Sequence, residues 1–261
     1  MSAETRPSDV TDQSAMTMME HLREFRTRIV RCALAVAVCA IVAYFFYDQI
    51  YNFLTEPFCK AAKNTEQTTC QLYFLDLTSP FATKLRVSGY SGLLLASPVV
   101  FYQIWAFIAP ALYRKEKRWA TAFVGSSVVL FLLGAALAFY SMPAIFTWLA
   151  QQAGSAQIQT VVAQYLSLLT VMVVAFGVAF EFPLLLVVLQ LLGVVQPATL
   201  AQYRRHAIVA IVAVVAIITP GGDPISLMVL SVPLIIFYEM SIFISRIVLR
   251  RRETPRQPQA D

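Results

Sequence analysis

"AFGVAFEFPLLLVVL", residues 175–189, is fifteen residues of nearly unbroken hydrocarbon with one carboxylic acid, Glu181, near its middle. Its surroundings decide the fold class. The apolar run extends over 165–192, longer than the ~20 residues that cross a hydrocarbon core about 30 Å thick. Comparable runs lie at 30–47, 87–106, 119–140 and 225–244, with a shorter one at 207–218. The whole chain is 58% hydrophobic and 13% charged, against about 45–50% and about 25% for soluble domains. It therefore reads as an all-α polytopic membrane protein with six transmembrane helices.

About thirty mostly polar residues precede the first apolar run, too many for the n-region of a cleaved signal peptide, so that span is expected to stay in the mature protein. Sixteen of the twenty lysines and arginines fall on one side of six spans, clustered at 6–31, 114–118, 204–205 and 246–256; only Lys60, Lys63, Lys84 and Arg86 fall on the other. The positive-inside rule then places both termini in the cytoplasm. The net charge of +5 comes from short runs beside spans, where cations set topology and meet anionic headgroups of membrane lipids; no nucleic-acid partner is expected. Residues 1–15 read as a disordered cytoplasmic tail, 16–246 as one membrane domain and 247–261 as a basic, polar tail. Cys32 and Cys39 read as packing residues of the first span. Cys59 and Cys70 share one external loop, where an oxidising compartment permits a disulfide without requiring it.

Met18, Leu22, Phe25 and Ile29 recur at helical spacing, with Glu20, Glu24 and Arg28 on the opposite face. That pattern predicts an amphipathic helix at the interface before the chain turns into its first span. Ser79 before Pro80 predicts a helix start with serine as N-cap. Pro98 and Pro183 each remove a backbone donor within a span and predict kinks. The run 207–218 holds twelve residues, about 18 Å of helix, so a bilayer thinned beside it or neighbours wrapped round it are expected. The turn "TPGGDPIS", 219–226, combines permissive glycines with dihedral-fixing prolines.

No phosphate-binding loop, dinucleotide fingerprint, zinc-protease helix or nucleophile elbow occurs. With two histidines, His21 and His206, and scattered cysteines, neither a metal site, nor a cofactor, nor a catalytic residue is expected. Acids remain. Glu181, costing about 2.5–3.5 kcal/mol at mid-span, should face protein or a water-filled cavity and have a role; the structural alternative is a neutral acid bonded to a carbonyl freed by Pro183. Glu239 raises the same question nearer the cytoplasmic end of the last span, where it could snorkel. Glu24 with Arg28 one turn on has the form of an ordinary surface pair. Glu116 within "RKEKR" has that of local charge neutralisation, and Asp223 that of turn chemistry.

"HLREFRTR" (21–28), "SPFATKLRVS" (79–88), "YQIWAFIAPALYRKEKR" (102–118), "AFGVAFEFPL" (175–184) and "TPGGDPIS" (219–226), in this order on six spans, resemble the TatC family. That family is the multi-spanning core of the twin-arginine protein translocase, and the resemblance covers about 16–246. It implies a non-enzymatic receptor in the bacterial cytoplasmic membrane, an oligomeric complex with single-span TatA/TatB-type subunits, and export of folded proteins driven by the proton-motive force. It implies that the cytoplasmic face binds twin-arginine signal peptides through Glu24, Arg26, Phe107, Pro110 and Glu116, the two glutamates holding the two guanidinium groups. A carboxylate accepts two parallel hydrogen bonds from that planar fork, which an ammonium does not reproduce. Glu181 matches the family's intramembrane glutamate on a concave partner-docking face, Pro57 and Asp223 match external positions, and two short final helices are a further family feature. Phe25 replaces the usual leucine, Ala111 the usual glycine, and Leu227 a frequent glutamine, in a turn one glycine longer than the commoner form. A proton-coupled small-solute transporter with Glu181 as proton carrier is the competing reading, though the chain carries no inverted repeat; a structural scaffold without peptide recognition is a third.

Overall fold

The most apolar segment becomes the core helix. In a computed structural model, Val162–Leu191 forms one helix, α5, with 56% of its apolar window inside the protein against 6% for the first span. The structure describes residues 8–63, 70–112, 117–152, 159–191, 193–219 and 223–253, with side chains over 19–246 except 21, 64–69, 108–120, 153–158, 191–192 and 220–222. In chain order the elements are α1 (Ser8–Phe45), α2 (Tyr47–Lys63), β1 (Leu72–Tyr73), α3 (Ser79–Leu112), α4 (Lys117–Gln152), β2 (Thr160–Val161), α5, α6 (Pro197–Gln202), α7 (Arg204–Ile218) and α8 (Pro224–Glu253). Among the described residues five helices, α1, α3, α4, α5 and α8, are long and apolar enough to cross a membrane. The shorter α7, fifteen residues, is about 22 Å long.

The helix α5 packs between α4 and α8, while α1 lies against α3 and α7 against α8. Close approach between α4 and α5 depends on glycine: a Cβ on Gly134 would lie 2.5 Å from the Phe176 carbonyl oxygen, and one on Gly177 would lie 2.7 Å from the Phe131 ring. Small residues let membrane helices meet backbone to backbone, where dispersion replaces the missing hydrophobic drive. Phe176, Leu169, Met172 and Leu230 fill the resulting core.

One face of the molecule is capped by α2, which lies on α4 through Phe53 stacked on Phe139 at 4.5 Å and Phe58 against Phe146 at 6.1 Å. The Tyr165 hydroxyl donates to the Leu54 carbonyl at 2.5 Å, and Pro57 is buried within α2. Cys59 is disulfide-bonded to Cys70, with Cα atoms 4.9 Å apart. Strand β1 then pairs in parallel with β2, Leu72 opposite Thr160, so two connections are stitched over this face.

Four expectations change. The amphipathic segment does not turn into the first span: α1 is continuous from Ser8 to Phe45, because no glycine or proline interrupts it and each added residue gains a hydrogen bond at little cost. Residues 8–15, expected as disordered tail, are its first turns; of the basic, polar stretch 247–261, residues 247–253 are the end of α8, and residues 1–7 and 254–261 lie outside the described ones. Ser79 is not the N-cap: its hydroxyl donates back to the Asp76 carbonyl at 2.8 Å, while the Thr78 carbonyl accepts the first helical bond, from Ala82 at 3.1 Å. The last helix is not short. It runs thirty residues, since the basic stretch after the apolar window is as able to form helix as the window itself.

Candidate functional site

On the face opposite α2, the middle of α1 and the last turns of α3 are clasped. Glu24 and Arg28, one turn apart on α1, form an ion pair in which the guanidinium Nε donates to Glu24 Oε1 at 3.1 Å. A second guanidinium nitrogen of Arg28 donates to Gln103 Oε1 on α3 at 3.3 Å. Beside this polar link the Phe25 and Phe107 rings meet at 5.6 Å. Glu24 remains 45% exposed, and its Oε2 accepts no hydrogen bond from a described residue. Arg26, also exposed, projects from the same stretch of α1. The structure thus brings Glu24 and Phe107 together through the α1–α3 clasp, while Arg26, two residues on from Glu24, projects to a different side of α1; the side chain of Pro110 and all of Glu116 lie outside the described residues.

Glu24 as an ordinary surface pair is only half the geometry. Because Arg28 holds Gln103 as well, a competing cation could take Glu24 and still leave Arg28 bonded. Carboxylate-to-guanidinium exchange at such a site costs little, as exposed i,i+4 pairs contribute about 0.3–0.5 kcal/mol.

Glu181 lies ten residues before the end of α5 at Leu191, about 15 Å along the helix. The Ser127 hydroxyl of α4 lies beside its carboxyl, and Ser127 Oγ accepts from the Trp105 indole N–H of α3 at 2.7 Å. Trp105 and Phe123 stack at 5.1 Å and close an apolar cluster with Val188 around that bond. The bond ties α3 to α4 next to the acid. Glu181 Oε1 is buried with no hydrogen-bond partner among the described residues, while the adjacent Phe182 and Val178 face outward. A buried polar atom left unpaired costs free energy, so a donor brought to it would be favoured. The sequence pointed to Glu181 but not to Ser127 or Trp105; only the polarity of Ser127 inside an apolar run, and the indole's need for an acceptor, could have marked them.

Glu239 accepts an ion pair from Arg204 at 3.1 Å, and next to it the Tyr238 hydroxyl donates to the Leu200 carbonyl at 2.9 Å. These neighbours fasten the α6–α7 segment to α8. Asp223 is buried and caps α8, its Oδ1 accepting from the Ser226 backbone N–H at 2.6 Å. The turn residues 220–222 lie outside the described ones. Asp223→Ala is expected to lower stability by about 1 kcal/mol, the usual worth of an N-cap, and Asp223→Asn to retain most of it. Thermal unfolding in detergent distinguishes the two, and equal midpoints for both variants would remove the capping role. No group of metal-ligating side chains occurs among the described residues.

Comparison with known proteins finds a match over residues 20–233 to the family model described as Sec-independent protein translocase protein (TatC). Curated relatives carrying the name Sec-independent protein translocase protein TatC include those of Frankia casuarinae, 34% identical over 98% of this chain and 73% of its own length, and of Aquifex aeolicus, 35% identical over 91% and 98%. That of Escherichia coli strain K12 is 34% identical over 90% of each. A crystal structure described as the twin-arginine translocase receptor TatC in DDM superposes with a TM-score of 0.73 at 35% identity, covering 86% of this chain and 99% of its own.

Proposed function

Since the chain belongs to the TatC family of Sec-independent protein translocase proteins, and is therefore a multi-pass membrane component of a protein translocase rather than an enzyme, we propose that it is the receptor subunit that binds twin-arginine signal peptides at its cytoplasmic face. In this reading α7 makes the sixth crossing through a thinned bilayer, both termini are cytoplasmic, and the membrane is the bacterial cytoplasmic membrane. The sixteen-to-four division of cations supports that orientation.

The observation that carries the proposal is the clasp of α1 on α3, which presents an exposed Glu24 with one oxygen that no described residue bonds, beside the Phe25–Phe107 pair. The first guanidinium of the peptide takes Glu24 in place of Arg28, the second takes Glu116, and apolar peptide residues pack on the two rings. Arg26 and the retained Arg28 disfavour peptides that are merely basic, which is how a site obtains specificity from repulsion as well as attraction. A photo-crosslinker replacing Phe25 should capture a twin-arginine signal peptide and release it to competition by the unlabelled peptide. Labelling that is absent, or indifferent to competition, would contradict the site.

Glu181 is the docking point for single-span TatA/TatB-type subunits, its unpaired Oε1 receiving a polar partner group within the membrane. Glu181→Ala is expected to leave the fold intact, because it removes an insertion cost of about 2.5–3.5 kcal/mol, and to reduce co-purification of those subunits severalfold. Unchanged co-purification would assign the acid another role. Family membership favours this over a solute carrier, and the Trp105–Ser127 bond beside Glu181 gives the acid fixed surroundings that suit a docking group. Export is driven by the proton-motive force through the assembled complex.

A further inference from the structure

Near the α2 face, α3 carries two cations inside its membrane-spanning segment, Lys84 and Arg86. They lie two residues apart and so project to different sides of the helix. Lys84 is accounted for: its ammonium stands 4.4 Å from the Tyr44 ring centroid and 5.3 Å from that of Tyr47, a cation–π arrangement. Arg86 has no hydrogen bond or ion pair with any described residue. It lines a groove of about 430 Å³ between α3 and the first turns of α5, with Gln164, Ser167, Leu168 and Val171 on the other wall. A smaller cavity adjoins this groove, sharing Arg86 and Ser167 and adding Thr83. Thr83 is only 3% exposed, and its hydroxyl lacks any partner among the described residues.

Seven residues into α3, Arg86 lies about 10 Å along the helix from Ser79. A guanidinium at that depth is costly unless its head reaches the interface or meets an anion. The groove supplies neutral donors beside the charge, Gln164 and Ser167, and an apolar wall, Leu168 and Val171, one and two turns beyond Gln164 on α5. Charge at one end and hydrocarbon at the other is the pattern of an amphiphile. We infer that this groove binds one phospholipid of the leaflet at the α2 face, with its phosphate on the Arg86 fork and an acyl chain along Leu168 and Val171. Thr83 and Ser167 supply neutral hydrogen bonds to the headgroup oxygens. Phosphate suits the site because its oxygens match the planar guanidinium donors two at a time.

Native mass spectrometry of the full chain, delipidated in detergent and titrated with dioleoylphosphatidylglycerol, tests this. One tightly retained lipid is expected on the wild-type protein, held at least about tenfold more weakly by Arg86→Gln and unchanged in Lys84→Gln. Dioleoylglycerol, which has the same chains without phosphate, should bind weakly and equally to all three. Excess inorganic phosphate should not displace the phospholipid. Equal phospholipid retention by Arg86→Gln and wild type overturns the inference, as does equal binding of dioleoylglycerol or displacement by inorganic phosphate, which would mark a purely apolar groove or a free-anion site. Loss of the lipid whenever partner subunits are bound would give the groove to a partner helix instead. Should Arg86→Gln fail to fold, Thr83→Val with Ser167→Ala replaces it; unchanged lipid binding in that double variant overturns the inference equally.

Discussion

Replacing Glu24 with alanine is expected to erase most of the preference for a paired-arginine signal peptide over its paired-lysine counterpart, about ten- to a hundredfold in affinity if the charge-assisted bonds lost are worth about 1.5–3 kcal/mol. The loss should not come from unfolding. The Glu24–Arg28 pair is an exposed i,i+4 pair worth about 0.3–0.5 kcal/mol, and Arg28 keeps its bond to Gln103. Glu24→Gln should fall between, since an amide oxygen still accepts but without charge. Competition binding with the two peptides against each variant measures this, and an undiminished arginine preference in Glu24→Ala would remove Glu24 from the site.

The second large effect is structural. Gly134→Leu should destabilise the α4–α5 pair by at least the ~1–3 kcal/mol of core overpacking, because its first side-chain carbon already falls 2.5 Å from the Phe176 carbonyl oxygen. Backbone does not rotate aside as a side chain does, so the helices must separate and the core around Phe176 and Leu169 must open. Gly125, on the same helix, has nothing within 4 Å of a built Cβ, and Gly125→Ala should be neutral or stabilising by up to about 1 kcal/mol from helix propensity. Thermal unfolding in detergent, with both variants side by side, checks the contrast. Similar midpoints would mean that α4 and α5 do not meet this closely.

What the sequence revealed follows from which forces act locally. Spans were legible because apolarity over about twenty residues is itself the cause of insertion, and Glu181 stood out because it breaks such a run. Helix α2 was missed although Tyr47, Ile50, Tyr51, Leu54 and Phe58 make a helical stripe; the polar face of Asp48, Gln49, Asn52 and Glu56 kept its hydropathy low, and a loop between spans was the simpler reading. The start of α1 was placed too late because helix propagation from a stable segment carries weakly apolar sequence with it. Contacts distant in the chain left no trace. Nothing in residues 24–28 announces Gln103, seventy-five positions from Arg28, and nothing near Glu239 announces Arg204. The bond from the Trp105 indole to Ser127 joins α3 to α4 beside Glu181, so it emerges only with the packing.

The proposed receptor function requires that this chain alone read two arginines with carboxylates at its cytoplasmic face. Its most direct test is equilibrium binding of a fluorescent twin-arginine signal peptide to the purified protein in detergent, against the same peptide with both arginines changed to lysine. Saturable binding that weakens at least about tenfold with lysine is the predicted result. Equal affinity for the two peptides would contradict the account.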